Sequence, residues 1–531
     1  MLYAPDYWFL YIVILAPSSI LNVIMITNLI IASPTSIFKK NELIYTQKNI
    51  LFLIPCYNES YEELNETIES FNNQAKIDMH KKALVIVCDG KVHGKGNSNS
   101  TDKILVDEIL KNYIIESKNI DNAYITWENQ YNHVHLHSGI YKNNLPFLLI
   151  IKENNIGKRD SLTITRGLCH KFNENLFETY SSLDKEMSKF FLNYNLNRID
   201  AILGTDGDTV LDKNCAYNLI HSLFSYTNTN LMGVCGFVKI SPHMSKWNFW
   251  TIYQHTEYIY AQVTKRLHQS KFTEKVSCLP GCVQILRVSK ETCGSEILNE
   301  FNRMPQSDEL IHRQIRSYAS EDRNHVCLML HMYPYVITKQ SLNAVAYTKI
   351  PDNFKVYLSQ RRRWSLGAMF NDVILATRAG INLFERISAI TNIIAWFFNL
   401  FILVATVSLI IILSKMRSFT FNHLIDEISM YLIIIVLGLP MLYLIFVPFW
   451  IKLEKYEIVQ LYIGIVFWYF INIPMNGLIH INTIFNMDNF SWGKTREIAT
   501  NNDNINHEIM EIVISTPTEY KTCTTPTSIM F

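Results

Sequence analysis

The sequence predicts an α/β domain built on a parallel sheet, set between membrane-spanning helices. Three observations predict it. Short apolar runs alternate with polar, helical segments from Asn49 to about Lys349, the pattern of strands joined by covering helices. The residues able to do chemistry fall just after those runs, where ligands sit in such sheets. Long apolar stretches precede and follow this region, each about long enough to cross a bilayer.

The elements follow in order. Tyr7 to Ala32 is almost wholly apolar and is followed by Lys39 and Lys40. A cleaved signal peptide is the rival reading, but the run lacks a basic start and exceeds a normal apolar core, so an uncleaved anchor with those lysines in the cytosol is favoured. Ile50 to Ile54 reads as a strand, Tyr61 to Phe71 as a helix, and Ala83 to Val87 as a second strand ending at Cys88-Asp89-Gly90. A helix is predicted over Asp102 to Ile115, a strand over Phe147 to Ile151 and a helix over Lys158 to Cys169. Ser117 to Asn144 has no clear period and carries His133, His135 and His137. It reads as an exposed insertion loop, because no cysteine or close acidic cluster completes a metal set. Val356 to Glu385 mixes Arg361, Arg362, Arg363 and Arg378 with Trp364, Leu366, Met369 and Phe370, and reads as an amphipathic segment on the cytosolic membrane surface. Ile387 to Leu413, Met430 to Ile451 and Ile458 to Ile479 are each long enough to span. The tail from Glu497 is polar and predicted disordered. The resulting division is an anchor (1–40), a cytosolic domain (41–350), an interfacial segment (351–385), membrane helices (386–485), a short motif (486–496) and a tail (497–531).

Composition sets bounds. The chain has 531 residues, a net charge of +1 and mean hydropathy of +0.07. A balanced charge gives no electrostatic support to nucleic-acid binding. The ten cysteines have no regular spacing and no Cys-x-x-Cys, which fits reduced thiols in a cytosol-facing domain.

Four short stretches carry candidate chemistry. In Ala201-Ile-Leu-Gly-Thr-Asp206-Gly-Asp208-Thr209 a strand ends and two carboxylates follow at i and i+2, on the same side of an extended backbone. Such hard oxygen ligands suit Mg²⁺ or Mn²⁺ carrying a phosphorylated substrate; alone, Asp-Gly-Asp reads as an acidic turn capping the next helix. Gly157-Lys158-Arg159-Asp160-Ser161 places two cations at a helix start, able to hold a diphosphate or merely solvated. Ser320-Glu321-Asp322-Arg323 offers a general base or a helix cap. Gln360-Arg361-Arg362-Arg363-Trp364 offers a sugar-stacking indole with cations, or a positive flank with an interfacial tryptophan.

Together, in this order, with Asp89 ahead of them, these stretches resemble the processive family 2 inverting glycosyltransferases, and more narrowly chitin synthase. The narrowing residues are Gly157 to Ser161, Gln254-x-x-Glu257-Tyr258, Cys278-Leu-Pro-Gly-Cys282, the Gln-Arg-Arg-Arg-Trp form and Ser491-Trp492-Gly-Lys494. The resemblance runs from about Pro55 to Thr495. It implies a GT-A-like, nucleotide-sugar-binding α/β glycosyltransferase domain with transmembrane α-helices before and after it. It implies transfer of N-acetylglucosamine from UDP-N-acetylglucosamine to the 4-hydroxyl of a growing β-1,4 chitin chain, with inversion and extrusion through the membrane helices. By this resemblance Tyr57, Glu59 and Asp89 hold the uridine, and Lys158 and Arg159 lie near the phosphates. Asp208 ligates the metal (Mg²⁺ or Mn²⁺), Asp206 meets the ribose or donor sugar, and Asp322, beside Glu321, is the base. Gln360, Arg363 and Trp364 bind the diphosphate and the acceptor end. Cys278, Pro280, Gly281 and Cys282 line the acceptor pocket, and Glu257 and Trp492 complete the substrate-binding set. The implied partners are the donor, the growing chain, membrane lipid and a second copy in a homodimer, with no nucleic acid. The implied location is multi-pass in the plasma membrane.

Three rivals stay open on sequence alone. A hyaluronan-type synthase of the same fold would need two sugar nucleotides. An inactive membrane scaffold has no need of Asp206, Asp208, Asp322 and Trp364 together. A channel or transporter finds too few spans and no charge pattern within them.

Overall fold

A computed structural model describes residues 17, 20–31, 46–94, 96–225, 228–306, 308–377, 381–401, 431 and 438–487. Its framework is a ten-stranded mixed sheet in the order β3-β4-β5-β2-β1-β6-β9-β8-β10-β7. The strands are β1 Asn49–Cys56, β2 Lys81–Cys88, β3 Ile114–Ile125, β4 Tyr131–Tyr141, β5 Leu145–Lys152, β6 Ala201–Gly204, β7 Val210–Leu211, β8 Leu231–Ile240, β9 Gln284–Arg287 and β10 Ile337–Thr348. The predicted parallel sheet is its centre: β5, β2, β1 and β6 run parallel. The flanks turn antiparallel, through β3-β4-β5 on one side and β6-β9-β8 on the other.

The central strands are apolar on both faces, as a sheet covered on both sides requires. Period-2 alternation sorts them into two cores. Leu51, Leu53, Ala83, Val85 and Val87 belong to one; Ile50, Phe52, Ile54, Leu84 and Ile86 belong to the other. Truncating any one large member to alanine would cost about 2–5 kcal/mol.

The helices used below are α1 Ile20–Ile31, α2 Tyr61–Asn72, α3 Lys158–Asn173, α4 Ser182–Asn193, α5 Cys215–Phe224, α6 Phe249–Ala261, α7 Ile311–Tyr318, α8 Glu321–Met332, α9 Phe354–Thr377, α10 Leu383–Phe397 and α11 Lys455–Phe485. α2 starts where it does because Ser60 and Glu63 form a reciprocal cap, Glu63 N–H to Ser60 Oγ at 3.4 Å and Ser60 N–H to Glu63 Oε2 at 3.0 Å.

Three expectations change. The helix predicted over Asp102 to Ile115 is a short helical turn, Thr101–Lys103, running into a π-helix, Ile104–Ile109; Ile114 already starts β3. The expected loop from Ser117 to Asn144 is largely the β3–β4 hairpin. β3 is the sheet's edge and most of its side chains are exposed on both faces, so burial imposes no alternation on the sequence. The three histidines do share one side of β4: His137 meets Ser117, His135 meets Asn119 and Glu153, and His133 meets Asp121. Third, much of the segment read as amphipathic is α9, in which Arg361, Arg362, Leu366, Phe370, Asn371 and Asp372 are all buried, because α9 packs against α8, α10 and α11.

Among the described residues one helix, α11, is long and apolar enough to cross a membrane; α1 and Gly438–Phe449 are shorter apolar helices. The predicted spans Tyr7 to Ala32, Ile387 to Leu413 and Met430 to Ile451 lie partly outside the described residues. α11 is tied to the sheet domain at its first turn, where Lys239 of β8 makes a buried 2.7 Å ion pair with Glu457. Its Gly464 lies against Thr256 and Ile252 of α6 with no room for a β-carbon.

Candidate active site

The carboxyl ends of β1, β2, β5 and β6 come out at one edge of the sheet. The parallel register that pairs Cys56 with Cys88 and Cys88 with Ile151 puts them there. After β1 comes the turn Tyr57-Asn58-Glu59, in which Tyr57 N–H donates to Glu59 Oε2 at 2.6 Å. After β6 come Asp206 and Asp208. Gly207 between them lies against Glu59, whose Oε1 would be 3.0 Å from a β-carbon at that position. Thr67 Oγ1 of α2 donates to Gly207 O at 3.0 Å and fixes the turn.

Asp89, after β2, is almost fully buried and its oxygens are already engaged. Lys152 Nζ lies 2.6 Å from Oδ1, and Ile156 and Gly157 N–H donate at 3.0 and 2.8 Å. Lys152, at the end of β5, also meets Asp160 at 3.0 Å, and Tyr124 donates to Asp160 at 2.6 Å. Burial lowers the Lys152 pKa, but Asp89 and Asp160 outweigh it and hold the group above the ordinary lysine value. Asp89 thereby orders the start of α3 while its own N–H donates to Cys56 O at 2.9 Å, next to the Tyr57-Asn58-Glu59 turn with which it was expected to hold the uridine. Lys152 escaped the sequence reading; a lysine ending an apolar strand was the available signal.

Lys158, in the first turn of α3, is the electrostatic centre. Its Nζ lies 2.6 Å from Asp206 Oδ1, 2.9 Å from Glu321 Oε1 and 4.0 Å from Asp322 Oδ1. Burial opposes its charge, yet Asp206, Asp322 and Glu321 keep it well above the usual lysine range. Three carboxylates around one ammonium leave the cluster acidic. Burial also opposes the charge of Glu321, and Lys158 overrides that, holding Glu321 well below the carboxylate range. Asp322 goes the other way. Burial, aided by Glu321 and Asp206 and against Lys158, pushes it up to about 7. Its Oδ2 accepts the Gly281 N–H at 2.7 Å; its Oδ1 has no hydrogen-bond partner among the described residues. A carboxylate with one oxygen anchored, the other buried without a hydrogen bond and a pKa near neutrality has the chemistry a general base needs.

Asp208 is likewise raised to about 7 by burial, Asp206 and Glu63, and Glu59 to about 7 by burial and Asp208. Among the described residues no group of three or more His, Cys, Asp or Glu could hold a metal alone.

Arg159, expected near the phosphates, points elsewhere. Its guanidinium donates to the carbonyls of Phe301 (2.8 Å), Arg316 (2.6 Å) and Ala319 (3.1 Å) and to Asn324 Oδ1 (3.0 Å). One turn geometry explains this: Lys158 and Arg159 are adjacent on a helix and face different sides. Arg159 therefore buttresses the approach to α8.

The fourth motif is organised by Arg361, which the sequence left among unassigned cations. It pairs with Glu257 through two bonds, at 2.9 and 2.6 Å. Its guanidinium also lies 4.1 Å from the Trp364 ring and 4.5 Å from the Tyr357 ring. Gln360 accepts from it. Tyr258 meets Trp364 edge-on at 6.1 Å. Trp364 is left 42% exposed, so its indole is held in place yet open on one side. Arg363 is half-buried, and burial lowers its pKa against the pull of Glu321. Cys278 and Cys282 are free thiols flanking Pro280 and Gly281. Burial, with Asp206 and Asp322, pushes the Cys282 thiol well up. Trp492 lies outside the described residues.

Carboxylates gathered around a fixed cation at the carboxyl edge of an α/β sheet fit a group-transfer enzyme with an anionic donor. The chain belongs to the chitin synthase family: the family model described as chitin synthase matches residues 22–518. Enzymes of this family are UDP-N-acetylglucosamine glycosyltransferases. Chitin synthase 8 of Gibberella zeae is 34% identical over 456 residues, covering 85% of this chain and 67% of that protein. Chitin synthase 8 of Verticillium dahliae is 30% identical over 451 residues, covering 79% and 73%. Against chitin synthase csmA of Emericella nidulans the identity is 27%, over 87% of this chain and 25% of that protein. Among solved structures, the mannosyltransferase PcManGT from Pyrobaculum calidifontis, in complex with GDP-Man and Mn²⁺, matches at TM-score 0.39 and 10% identity, over 91% of this chain and 99% of that one.

Proposed function

We propose that this chain is a processive, inverting chitin synthase that extends a β-1,4 chain from the cytosolic face of the plasma membrane and passes it outward between its membrane helices. The sheet domain serves as a GT-A-like donor site. The observation that carries the reading is Asp322: anchored through Oδ2, buried without a hydrogen bond at Oδ1, and raised to about 7.

In this reading the acceptor 4-hydroxyl approaches Asp322 Oδ1 and gives it its proton. The oxygen attacks the anomeric carbon from the face opposite the diphosphate. The carbon–phosphate-oxygen bond breaks and UDP leaves with the bonding pair, so one displacement inverts the centre. Tyr57 and Glu59 border the uridine. Lys158 balances the carboxylates and meets the departing phosphate charge. Gln360, Arg363 and Trp364 hold the acceptor end, with Glu257 acting through Arg361. Cys278 to Cys282 form the wall beneath it.

The residues fit a divalent cation. Asp208 is raised to about 7 by burial first and then by Asp206 and Glu63, and a bound cation relieves the part that the carboxylates supply. The shortage of protein ligands suits Mg²⁺ or Mn²⁺ completed by substrate phosphates. When bound, the ion neutralises charge on the diphosphate leaving group.

Incorporation of radiolabelled sugar by membranes containing the protein tests the reading. With UDP-N-acetylglucosamine as sole donor, insoluble label removed by chitinase supports it. Label that needs a second sugar nucleotide moves the chain to heteropolymer synthesis.

A further inference from the structure

We infer that Asp372 and Asn371 of α9 are positioning residues that clamp the base-bearing helix α8 to the helix of the Gln-Arg-Arg-Arg-Trp motif, so that the base and the acceptor end are held as one piece. The inference rests on reading Asp322 as the base.

α8 starts abnormally. Its first flanking residue, Ser320, is left-handed at φ 48° and gives the helix no side-chain cap, although serine is a favoured cap. The Ser320 hydroxyl instead donates to Arg363 O of α9 at 3.3 Å. A β-carbon at Gly367 would overlap that hydroxyl, so α9 can come this close only with glycine there. The next two contacts also reach α9. Arg323 Nη2 donates to Asp372 Oδ1 at 2.6 Å, and Asn324 Nδ2 donates to Asn371 Oδ1 at 3.0 Å. Asp372 and Asn371 are themselves braced, Asp372 Oδ2 by Asn392 of α10 at 2.8 Å and Asn371 Nδ2 by Gly367 O at 2.7 Å. Asp372 is 3% exposed and Asn371 is fully buried.

Side chains at the start of α8 thus bond to α9, while Ser320 gives the helix no cap of its own. Asp322 sits between the two anchored residues Ser320 and Arg323, and Arg363 and Trp364 sit on the same α9 face region as the Ser320 contact. Displacing reacting groups by about 1 Å can cost about 10²-fold in rate. A clamp of this kind is felt in the chemical step and leaves the nucleotide end of the site alone, since Tyr57 and Glu59 follow β1 and Asp208 follows β6, not α8 or α9.

The test compares Asp372→Asn, Asn371→Ala, the double variant Arg323→Gln with Asp372→Asn, and Asp322→Asn in the purified full chain. The readouts are kcat, the donor KM, UDP affinity and the unfolding midpoint. The expected result for Asp372→Asn is a fall in kcat of about tenfold or more, with donor KM and UDP affinity within about twofold. The double variant, whose two amides can bond without a charge, recovers much of kcat. Asp372→Asn at full kcat, or with kcat lost only through lost UDP binding, overturns the clamp. If Asp372→Asn does not fold, Asn371→Ala decides by the same kcat-against-KM pattern. Asp322→Asn separates the two claims: activity there overturns the base reading, whereas an inactive Asp322→Asn beside a fully active Asp372→Asn overturns the clamp alone.

Discussion

The Gly281 N–H donates to Asp322 Oδ2 at 2.7 Å, and the carboxylate presses so close that a β-carbon at Gly281 would lie 2.8 Å from Oδ1 and 2.8 Å from Lys158 Nζ. The space beside the base therefore belongs to glycine. Gly281→Ala should lower kcat by about 10²-fold while the unfolding midpoint changes little, because the displaced atoms are side-chain ends. Wild-type kcat in that variant would remove the close contact from the account.

Lys158 balances Asp206 and Glu321 directly. Lys158→Met keeps much of the stem and removes the charge, leaving three carboxylates facing one another. Transfer should fall about 10²-fold or more. Glu321, now held low by Lys158, should titrate upward, which carboxyl-region NMR or infrared titration can follow.

Asp322, Asp208 and Glu59 each have folded pKa values raised to about 7. Between the ordinary carboxylate range and about 7 the folded state binds more protons than the unfolded chain, so stability contributed by these groups is greatest at low pH and is lost as pH rises through that window. Glu321, held low, acts in the opposite sense only below that window. Buried His255 and His268, both lowered to about 4, act in the opposite sense up to about pH 6.5, so the unfolding midpoint without divalent cation should fall between about pH 6.5 and pH 8, and Mg²⁺ or Mn²⁺ should restore it more at pH 8. Transfer should show the mirror image, rising through about pH 7 as Asp322 loses its proton. A cation effect independent of pH would contradict the assignment of Asp208.

Arg361 braces Trp364 through Glu257 and the stacked rings. Arg361→Lys keeps the charge and loses both the fork and the stacking plane. Elongation of a short chitin primer should show an apparent primer KM raised about tenfold, with donor KM unchanged.

The strands that position the site were legible because each is a short run apolar on both faces, and Glu59, Asp89, Asp206 and Asp208 stood out because they follow those runs directly. Asp206, Asp322, Lys158 and Gly281 do meet at the sheet edge. What stayed hidden depended on pairing over long sequence distances. Adjacent cations such as Lys158 and Arg159 look alike in a string, yet one faces carboxylates and the other faces main-chain carbonyls. Arg361 looked like a membrane flank because its partner Glu257 is 104 residues away. β3 was missed because an edge strand with both faces in water needs no alternation, whereas β4 does alternate, with Val134 and Leu136 buried between its three histidines.

The most direct measurement is transfer and UDP binding side by side in Asp322→Asn, an isosteric change that keeps the Gly281 contact and removes the proton acceptor. The account predicts abolished transfer of N-acetylglucosamine with UDP affinity nearly unchanged. Retained transfer, or UDP affinity lost together with transfer, would contradict Asp322 as the base that activates the acceptor hydroxyl.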